Sequence, residues 1–528
     1  MPFNPAVATR FIQYWNDTLQ FQGTLEYLKD PPAGYQQPAV DLNAGLEEIQ
    51  STINAGEFHN QYEFEAALQS LLYSAHDVHV SLNAGLLSSF YFGSQYGLTC
   101  VSIDGIQLPK VYLTAELIYN QTNTDEYDLL FTSVPSVRLV LTTHRNWQLS
   151  AVSHINGTEV IEYLTRFAAL NSYGMAEPHA DWNLLFDNPV IDVLNDFAPL
   201  WSGGTTFYPG DNYTYTFEDG STLDDEWLAV YYDPGETGPL ETGGDFYNFF
   251  VLGLYPASFN VSSLADDQTN ATNASSPPAP TRFNNSAFPQ PDVWQPNLTT
   301  AGFTTGYFLH NESLAVLSIP TFWADEAAIE SFTDTVGDFL TSAKAAGLSK
   351  VVIDLQQNEG GTFLLAYSVF KQFFPSIVPF AGSNMREHPL PDIMGSVITS
   401  YYESLDDDSY AHQNASADEW IATTRLNAET GRNFTSWQEL YDQGQDNVDS
   451  FSSTIRLNTS NYLYDYSALG QVEPPQVLLT PSSADAPFAA ENIIMVRKPF
   501  GWTRRSQLTV DHSCQMVFVH RPAHYSWK

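Results

Sequence analysis

Val351-Val352-Ile353-Asp354-Leu355-Gln356-Gln357-Asn358-Glu359-Gly360-Gly361 is the stretch on which the fold turns. Its apolar start, opened by Lys350, predicts a strand buried on both faces. The glycine pair then precedes Leu364, Leu365, Val369, Phe370 and Phe373, spaced as one face of a helix. Upstream, Leu314-Ala-Val-Leu-Ser-Ile-Pro320 predicts another strand. Ile329, Phe332, Val336, Phe339 and Leu340 mark a helix after it. The succession is β-α-β-α, which implies a largely parallel sheet. Asn492-Ile-Ile-Met-Val496 predicts a further buried strand.

Residues 1–96 read as helical: Leu46, Ile49 and Ile53 recur at helical spacing, as do Phe64, Leu68, Leu71 and Leu72. Residues 97–255 read as short strands and turns. Asp104-Gly105 stands between apolar runs in Leu98–Leu108, a hairpin signal. Asn156-Gly157 is a second such turn, followed by the helical pattern Val160, Tyr163, Leu164, Phe167. Residues 256–302 are rich in Asn, Ser, Thr and Pro and read as a solvated, glycosylated linker. Residues 303–496 hold the β-α-β-α run. No internal repeat is visible.

The formal net charge of −41 argues against nucleic acid and anionic membranes as partners. No apolar run approaches the ~20 residues of a membrane span. Cys100 and Cys514 imply no disulfide framework. Thirteen N-glycosylation sequons occur, at Asn16, Asn120, Asn156, Asn212, Asn260, Asn270, Asn273, Asn284, Asn297, Asn311, Asn414, Asn433 and Asn458. Their density predicts the secretory pathway or the extracellular space. The start, Met1-Pro-Phe-Asn-Pro, is not a signal peptide. On this expectation the precursor's first segment is missing from the chain; otherwise the protein is not exported.

Two constellations can carry chemistry. Gly360-Gly361 at a strand-to-helix turn allows close backbone approach and offers N–H groups to an anion, such as a tetrahedral oxyanion. The pair equally serves as a plain turn. Ser74-Ala-His76-Asp-Val-His79 supplies two histidines, the usual base for a serine or cysteine nucleophile. Surface histidines are the alternative. No zinc-type motif supports a metal site. Acidic, aromatic-rich composition also fits a secreted glycoside hydrolase, which would need paired carboxylates at strand ends.

Leu25-Glu-Tyr-Leu-Lys-Asp-Pro-Pro-Ala-Gly-Tyr35, Ser74–His79 and Val352–Gly361 together resemble the fungal branch of the tail-specific (C-terminal processing) serine peptidases, serine peptidase family forty-one. Relatives of that branch resemble the chlamydial protease-like activity factor. Others lie in ustiloxin and phomopsin clusters. The resemblance spans residues 20–496. It implies an α+β multidomain fold: a helical N-terminal region, a PDZ-like domain, and a ClpP/crotonase-like α/β peptidase core. It implies that His79 is the general base and that Gly360-Gly361 lends backbone to an oxyanion hole. Val78 replaces the family's usual glycine. The implied partner is a peptide or protein substrate, which the resemblance to the cluster relatives extends to a mycotoxin precursor peptide, and no cofactor is implied.

The departure lies after Val496, where the family runs into an Asp-Gly turn carrying the serine. Here Arg497-Lys-Pro-Phe-Gly-Trp-Thr-Arg-Arg505 follows. From Arg497 to Lys528 the bases Arg497, Lys498, Arg504, Arg505, Arg521 and Lys528 face a single acid, Asp511. Such a break in composition is expected of a retained intron or frameshift. Residues 497–528 then form an unrelated tail and the core 303–496 is incomplete. Ser513 lacks the Asp-Gly turn. With no replacement serine the chain reads as inactive, and the rival reading is a non-catalytic peptide-binding protein. The strand Asn492–Val496 and the faces of Phe363, Phe370 and Phe373 are expected to stand partly uncovered.

Overall fold

The structure, a computed structural model, describes residues 1–82, 85–104, 106–117, 149–187, 199–231, 240–254, 291–296, 304–323, 326–356, 358, 360–377, 379–380, 382–415, 420–441, 449–456 and 485–497. Two compact units emerge. Met1–Trp15 and Pro31–Pro278 contribute to the first, Asn16–Asp30 and Ala279–Lys498 to the second. The fold is multidomain α+β.

The first unit begins with helices. Pro5–Leu19 starts in this unit and ends in the second. Leu42–Ala55 is capped by Asp41, which accepts the Ala44 N–H at 3.1 Å, and buries Leu42, Leu46, Ile49 and Ile53. Gln61–Tyr73 is capped by Asn60 and buries Phe64, Leu68 and Leu72. It also buries three polar side chains, Gln61, Glu65 and Gln69. Glu65 accepts the Leu86 N–H at 2.6 Å, and Gln69 accepts that of Leu82 at 2.8 Å. Both bonds tie the chain after His79 back onto this helix.

Strands β1 (Phe90–Ser94), β2 (Leu98–Val101), β3 (Lys110–Leu113), β4 (Val152–Ile155), β5 (Thr158–Glu159), β6 (Asn212–Phe217) and β7 (Thr222–Tyr231) follow. Five make an antiparallel sheet in the order β1-β7-β6-β4-β5. Asn156 and Gly157, at φ 50° and 74°, make the β4–β5 turn. Trp201, Tyr213, Tyr215 and Phe217 are fully buried beside the helix Val160–Asn171.

The first hairpin differs from expectation. Strand β2 pairs with β3, not with the apolar run that follows Asp104. Ile106 and Leu108 stand 89% and 87% exposed. The reason is local: Asp104 accepts the N–H groups of Ile106 and Gln107, which prolongs the turn. Val111, Tyr112 and Leu113 take the buried positions instead.

The second unit is built on β8 (Val293–Trp294), β9 (Thr305–Leu309), β10 (Leu314–Ser318), β11 (Lys350–Leu355) and, last in sequence, β15 (Ile493–Arg497). Their order is β15-β11-β10-β9-β8. The pairs β10–β11 and β11–β15 are parallel, while β9 and β8 run antiparallel, so the sheet is mixed. Helices Glu326–Ala345 and Phe363–Phe373 connect the parallel strands and pack together over one face. Successive right-handed crossovers in one direction put both on the same side. There Ala315, Leu317, Val351, Ile353 and Ile493 meet Val336, Phe339, Val369 and Phe373.

Two expectations are corrected here. Strand β11 is not buried on both faces: Val351, Ile353 and Leu355 are buried, whereas Val352 and Asp354 are half-buried. Phe370 and Phe373, expected to be partly uncovered, are in the core at 9% and 0% exposure. The two helices cover each other and the sheet, so this core closes among the described residues. The strand Asn492–Val496 does stand partly uncovered, with Ile494, on the opposite face, 57% exposed, and the Phe363 side chain lies outside the described residues.

Between Phe373 and β15 the chain builds a layer that periodicity does not reveal. Strands β12 (Gly382–Ser383), β13 (Leu426–Asn427) and β14 (Ile455–Arg456) form a small antiparallel sheet. Trp437, Phe434, Leu440 and Tyr441 fill a separate core. Arg386 and Asp449 form a buried ion pair beneath it, and Arg386 also donates to the Gln20 carbonyl at 3.1 Å.

Candidate active site

The His79 loop follows the helix Gln61–Tyr73. Its first turn is tight because His76 adopts a left-handed φ of 49°. Gly174 lets the chain pass beside it: a Cβ there would meet the Tyr73 carbonyl at 2.4 Å. His76 is packed rather than presented. Its Nδ1 is buried without a hydrogen-bond partner, and burial pushes its pKa down to about 4. The ring is therefore neutral at pH 7.

His79 is the exposed member of the pair, with 49% of its side chain accessible. Its backbone N–H donates to Asp77 Oδ1 at 3.0 Å, and its Nδ1 lies 3.5 Å from the same oxygen. Asp77 itself is largely covered, its side chain 18% exposed. Tyr35 lies beside it. Burial, then Asp181, then Asp77 raise the Tyr35 pKa to about 12, so the phenol stays protonated. Gln37 bridges the Met175 carbonyl at 2.8 Å and Asp181 at 2.9 Å. Asp181 also accepts the Met175 N–H at 2.8 Å and the Ser172 hydroxyl. The loop at residues 35–37 and the segment at residues 172–181 thus brace the turn that carries His79.

The glycine turn belongs to the second unit. Gly360 and Gly361 have φ of 96° and 120°, values that L side chains rarely adopt. A Cβ on Gly361 would lie 2.2 Å from the Trp323 nitrogen. The turn runs beside Phe322, with Phe322 N–H donating to Gly360 O at 2.6 Å and Thr362 N–H to Phe322 O at 2.8 Å. Asn358, only 3% exposed, organises it. Its Oδ1 accepts the Gly360 N–H and its Nδ2 donates to the Ile319 carbonyl, both at 2.8 Å. The Gly360 N–H is therefore spent inside the fold, whereas Gly361 is exposed on the surface of the turn.

The register of the parallel sheet completes this half. Asp354 pairs with Val496 and Leu355 with Arg497, so β15 leaves the sheet beside the exit of β11. Ligand and catalytic groups in α/β sheets gather at that carboxyl end. Ser513 and residues 498–528 lie outside the described residues.

The two sequence-predicted sites thus fall in different units, His79 in the first and the glycine pair in the second. Asp77, Tyr35 and Asn358 all lie within the quoted motifs but received no role from pattern alone. An Asp two residues before a His, and an Asn two before a Gly, are the available signals, since both side chains favour closing such turns. Of the sequon asparagines, Asn16, Asn156, Asn212, Asn311 and Asn433 are exposed. Asn120, Asn260, Asn270, Asn273, Asn284, Asn297, Asn458 and the Asn414 side chain lie outside the description. No group of three or more metal-binding side chains occurs among the described residues. None of the described helices is long and apolar enough to cross a membrane.

Comparison with known proteins gives consistent relatives. Residues 91–236 match the family model of the CPAF-like PDZ domain. The chain is 27% identical over 431 residues to Peptidase S41 family protein phomP1 of Diaporthe leptostromiformis, covering 79% of this chain and 59% of the relative. It is 25% identical over 273 residues to Peptidase S41 family protein ustP of Aspergillus flavus, covering 51% of this chain and 54% of the relative. The chain therefore spans less than two thirds of these relatives' length. Among solved structures, mature CPAF complexed with lactacystin aligns with TM-score 0.40 at 14% identity, covering 76% of this chain and 66% of that one. A photosystem II D1 C-terminal processing protease aligns at TM-score 0.20 and 10% identity, covering 73% and 70%. By sequence, the chain is similar to the fungal Peptidase S41 proteins, and its residues 91–236 match the CPAF-like PDZ domain.

Proposed function

We propose that this chain is built on the plan of a serine endopeptidase of the tail-specific class, acting by acyl transfer. The observation that carries the reading is the register of β11 with β15, which brings the exit of β15 beside Leu355, at the end of the strand that leads into the Gly360–Gly361 turn. A serine delivered after β15 would then act at the carboxyl end of the sheet from which the glycine turn also leaves, and an oxyanion within reach of the Gly361 N–H would be stabilised by it. His79, the exposed histidine of its loop, serves as general base. The Peptidase S41 relatives support this chemistry. The substrate is a peptide or protein, and within that class we favour a precursor peptide cut during mycotoxin biosynthesis.

The 528 residues themselves lack the Asp-Gly turn with its serine after Val496. We therefore expect no hydrolysis from this chain and a restored serine in the fully spliced product. A second reading, a peptide-binding protein without turnover, is favoured by the combination of that missing turn with the CPAF-like PDZ domain. Casein hydrolysis and fluorophosphonate labelling of the purified chain, beside cDNA sequenced across the Val496 codon, decide between them. Labelling of the 528-residue chain would overturn the expected inactivity. Read-through cDNA with no other isoform would favour the binding protein.

Exposure of the described sequon asparagines supports a glycoprotein of the secretory pathway. A gel shift of the natively expressed protein on amidase deglycosylation is the corresponding test.

A further inference from the structure

We propose that Trp323 is a specificity-determining residue: its exposed indole is an apolar wall beside the Gly360–Gly361 turn, selecting peptides with a bulky apolar or aromatic side chain next to the carbonyl held there. This rests on the reading of that turn as the place where a peptide carbonyl binds. The backbone puts Trp323 there. Strand β10 ends at Ser318, which pairs with Asp354 of β11, and Asp354 pairs with Val496 of β15. The ladder continues past the strand, with Ile319 N–H donating to the Asp354 carbonyl at 2.9 Å. A parallel bridge between Phe322 and Gly361 then sets the chain alongside the glycine turn. The approach is so close that a Cβ on Gly361 would lie 2.2 Å from the Trp323 nitrogen.

Neighbouring side chains on a strand-like segment point to opposite sides. Phe322 takes the inner side: it is buried in the core, its ring 6.0 Å from that of Phe332. Trp323 is therefore turned outward, and it is 58% exposed. Its own N–H is held at 3.0 Å by the Thr321 hydroxyl, which fixes the point from which the indole projects. A single surface hydrophobic usually needs no explanation. This one adjoins a turn where two glycines leave the backbone bare and Gly361 is exposed. A peptide laid against Gly361 comes within one residue of a large, rigid, uncharged ring whose burial is favourable. The ring brings no cation to a chain of net charge −41, so the side chain it takes is apolar rather than acidic.

The test follows the indole itself in the 528-residue chain, so it needs no turnover. The protein is labelled with fluorotryptophan and observed by fluorine NMR. Trp323 is assigned through Trp323→Phe. Trp294, also exposed but on β8 at the far edge of the same sheet, is assigned through Trp294→Phe and serves as the control. The probes are acetylated, amidated alanine pentapeptides with Phe, Leu, Glu or Ala at the centre. The Phe and Leu peptides should move the Trp323 signal saturably and leave Trp294 in place, while the Glu and Ala peptides should move neither. No Trp323 shift with Phe or Leu, an equal shift with Ala, or an equal response of Trp294 overturns the proposal. In the fully spliced enzyme, Trp323→Ala should lower kcat/KM for the Phe peptide about 30-fold more than for the Ala peptide. An equal loss on both also overturns it. The parent reading fails separately: a fully spliced product that does not cleave casein would remove the peptidase and leave the fluorine result standing.

Discussion

Asn358 holds Gly360 in place: its Oδ1 accepts the Gly360 N–H while its Nδ2 donates to the Ile319 carbonyl, each at 2.8 Å. One buried amide thus fastens the glycine turn to the end of β10. Asn358→Ala leaves a buried N–H and a buried carbonyl without partners. It should cost about 1–3 kcal/mol for each group left unsatisfied. Urea denaturation of the variant is expected to show a lower midpoint at unchanged slope.

Gly361 and Gly157 both have positive φ, yet substitution should affect them very differently. At Gly157 a Cβ meets nothing within 4 Å, so Gly157→Ala costs only the left-handed backbone, about 1–2 kcal/mol. At Gly361 the Cβ would lie 2.2 Å from the Trp323 nitrogen and 2.3 Å from the Phe322 carbonyl carbon. Backbone atoms must move, so Gly361→Ala should destabilise well beyond that figure. Thermal melts of the two variants side by side check the order.

Asp187 and His76 should act on stability in opposite directions across mildly acidic pH. Burial raises the Asp187 pKa from 3.8 to about 6, despite the Thr114 and Ser202 hydroxyls that donate to it. Between those values the folded state holds the extra proton. Its contribution is greatest at low pH and is lost as pH rises through about 6, a swing of about 3 kcal/mol. Burial lowers the His76 pKa from 6.5 to about 4, so there the unfolded state holds the extra proton. Stability is lost as pH falls from 6.5 toward 4. Melts at pH 4.5 and 7.5 should show that Asp187→Asn removes the first dependence. His76→Asn, whose side chain tolerates the left-handed φ of 49°, should remove the second.

Arg386 and Asp449 form an ion pair whose side chains are 9% and 10% exposed. Removing Asp449 leaves the buried guanidinium, among the described residues, only the longer, 3.8 Å pair with Glu26. Asp449→Ala should therefore cost about 3–5 kcal/mol. The double replacement Arg386→Met with Asp449→Leu should recover much of that loss, except for the bond from Arg386 to the Gln20 carbonyl. A double-mutant cycle by chemical denaturation separates the two.

Local pattern was enough for the elements that bury one continuous face. Leu46, Ile49 and Ile53 lie on the buried side of Leu42–Ala55, and Ile329, Phe332 and Val336 on that of Glu326–Ala345. Helical period and apolar runs are properties of neighbouring residues, so the chain itself carries them. The Asn156-Gly157 turn was legible for the same reason, since two residues dictate its backbone. The motifs likewise marked His79 and the glycine pair as candidates.

What pattern could not supply was anything decided by distant partners. Asp104 starts a turn in either register; only burial of Val111 and Leu113 chose β3 and left Ile106 and Leu108 exposed. Phe370 and Phe373 are covered because two helices share one side of the sheet, a consequence of crossover handedness rather than of their own segment. His76 and His79 are alike in sequence and opposite in environment, because Gly174 and Met175 close over the first and not the second. The small sheet of β12, β13 and β14 uses strands too short to show a period, held by Trp437 and by the Arg386–Asp449 pair across a long stretch of chain. Sequence determined which segments could be helices and strands; only tertiary packing decided which polar groups are neutral, which N–H groups are spent and which side chains remain exposed.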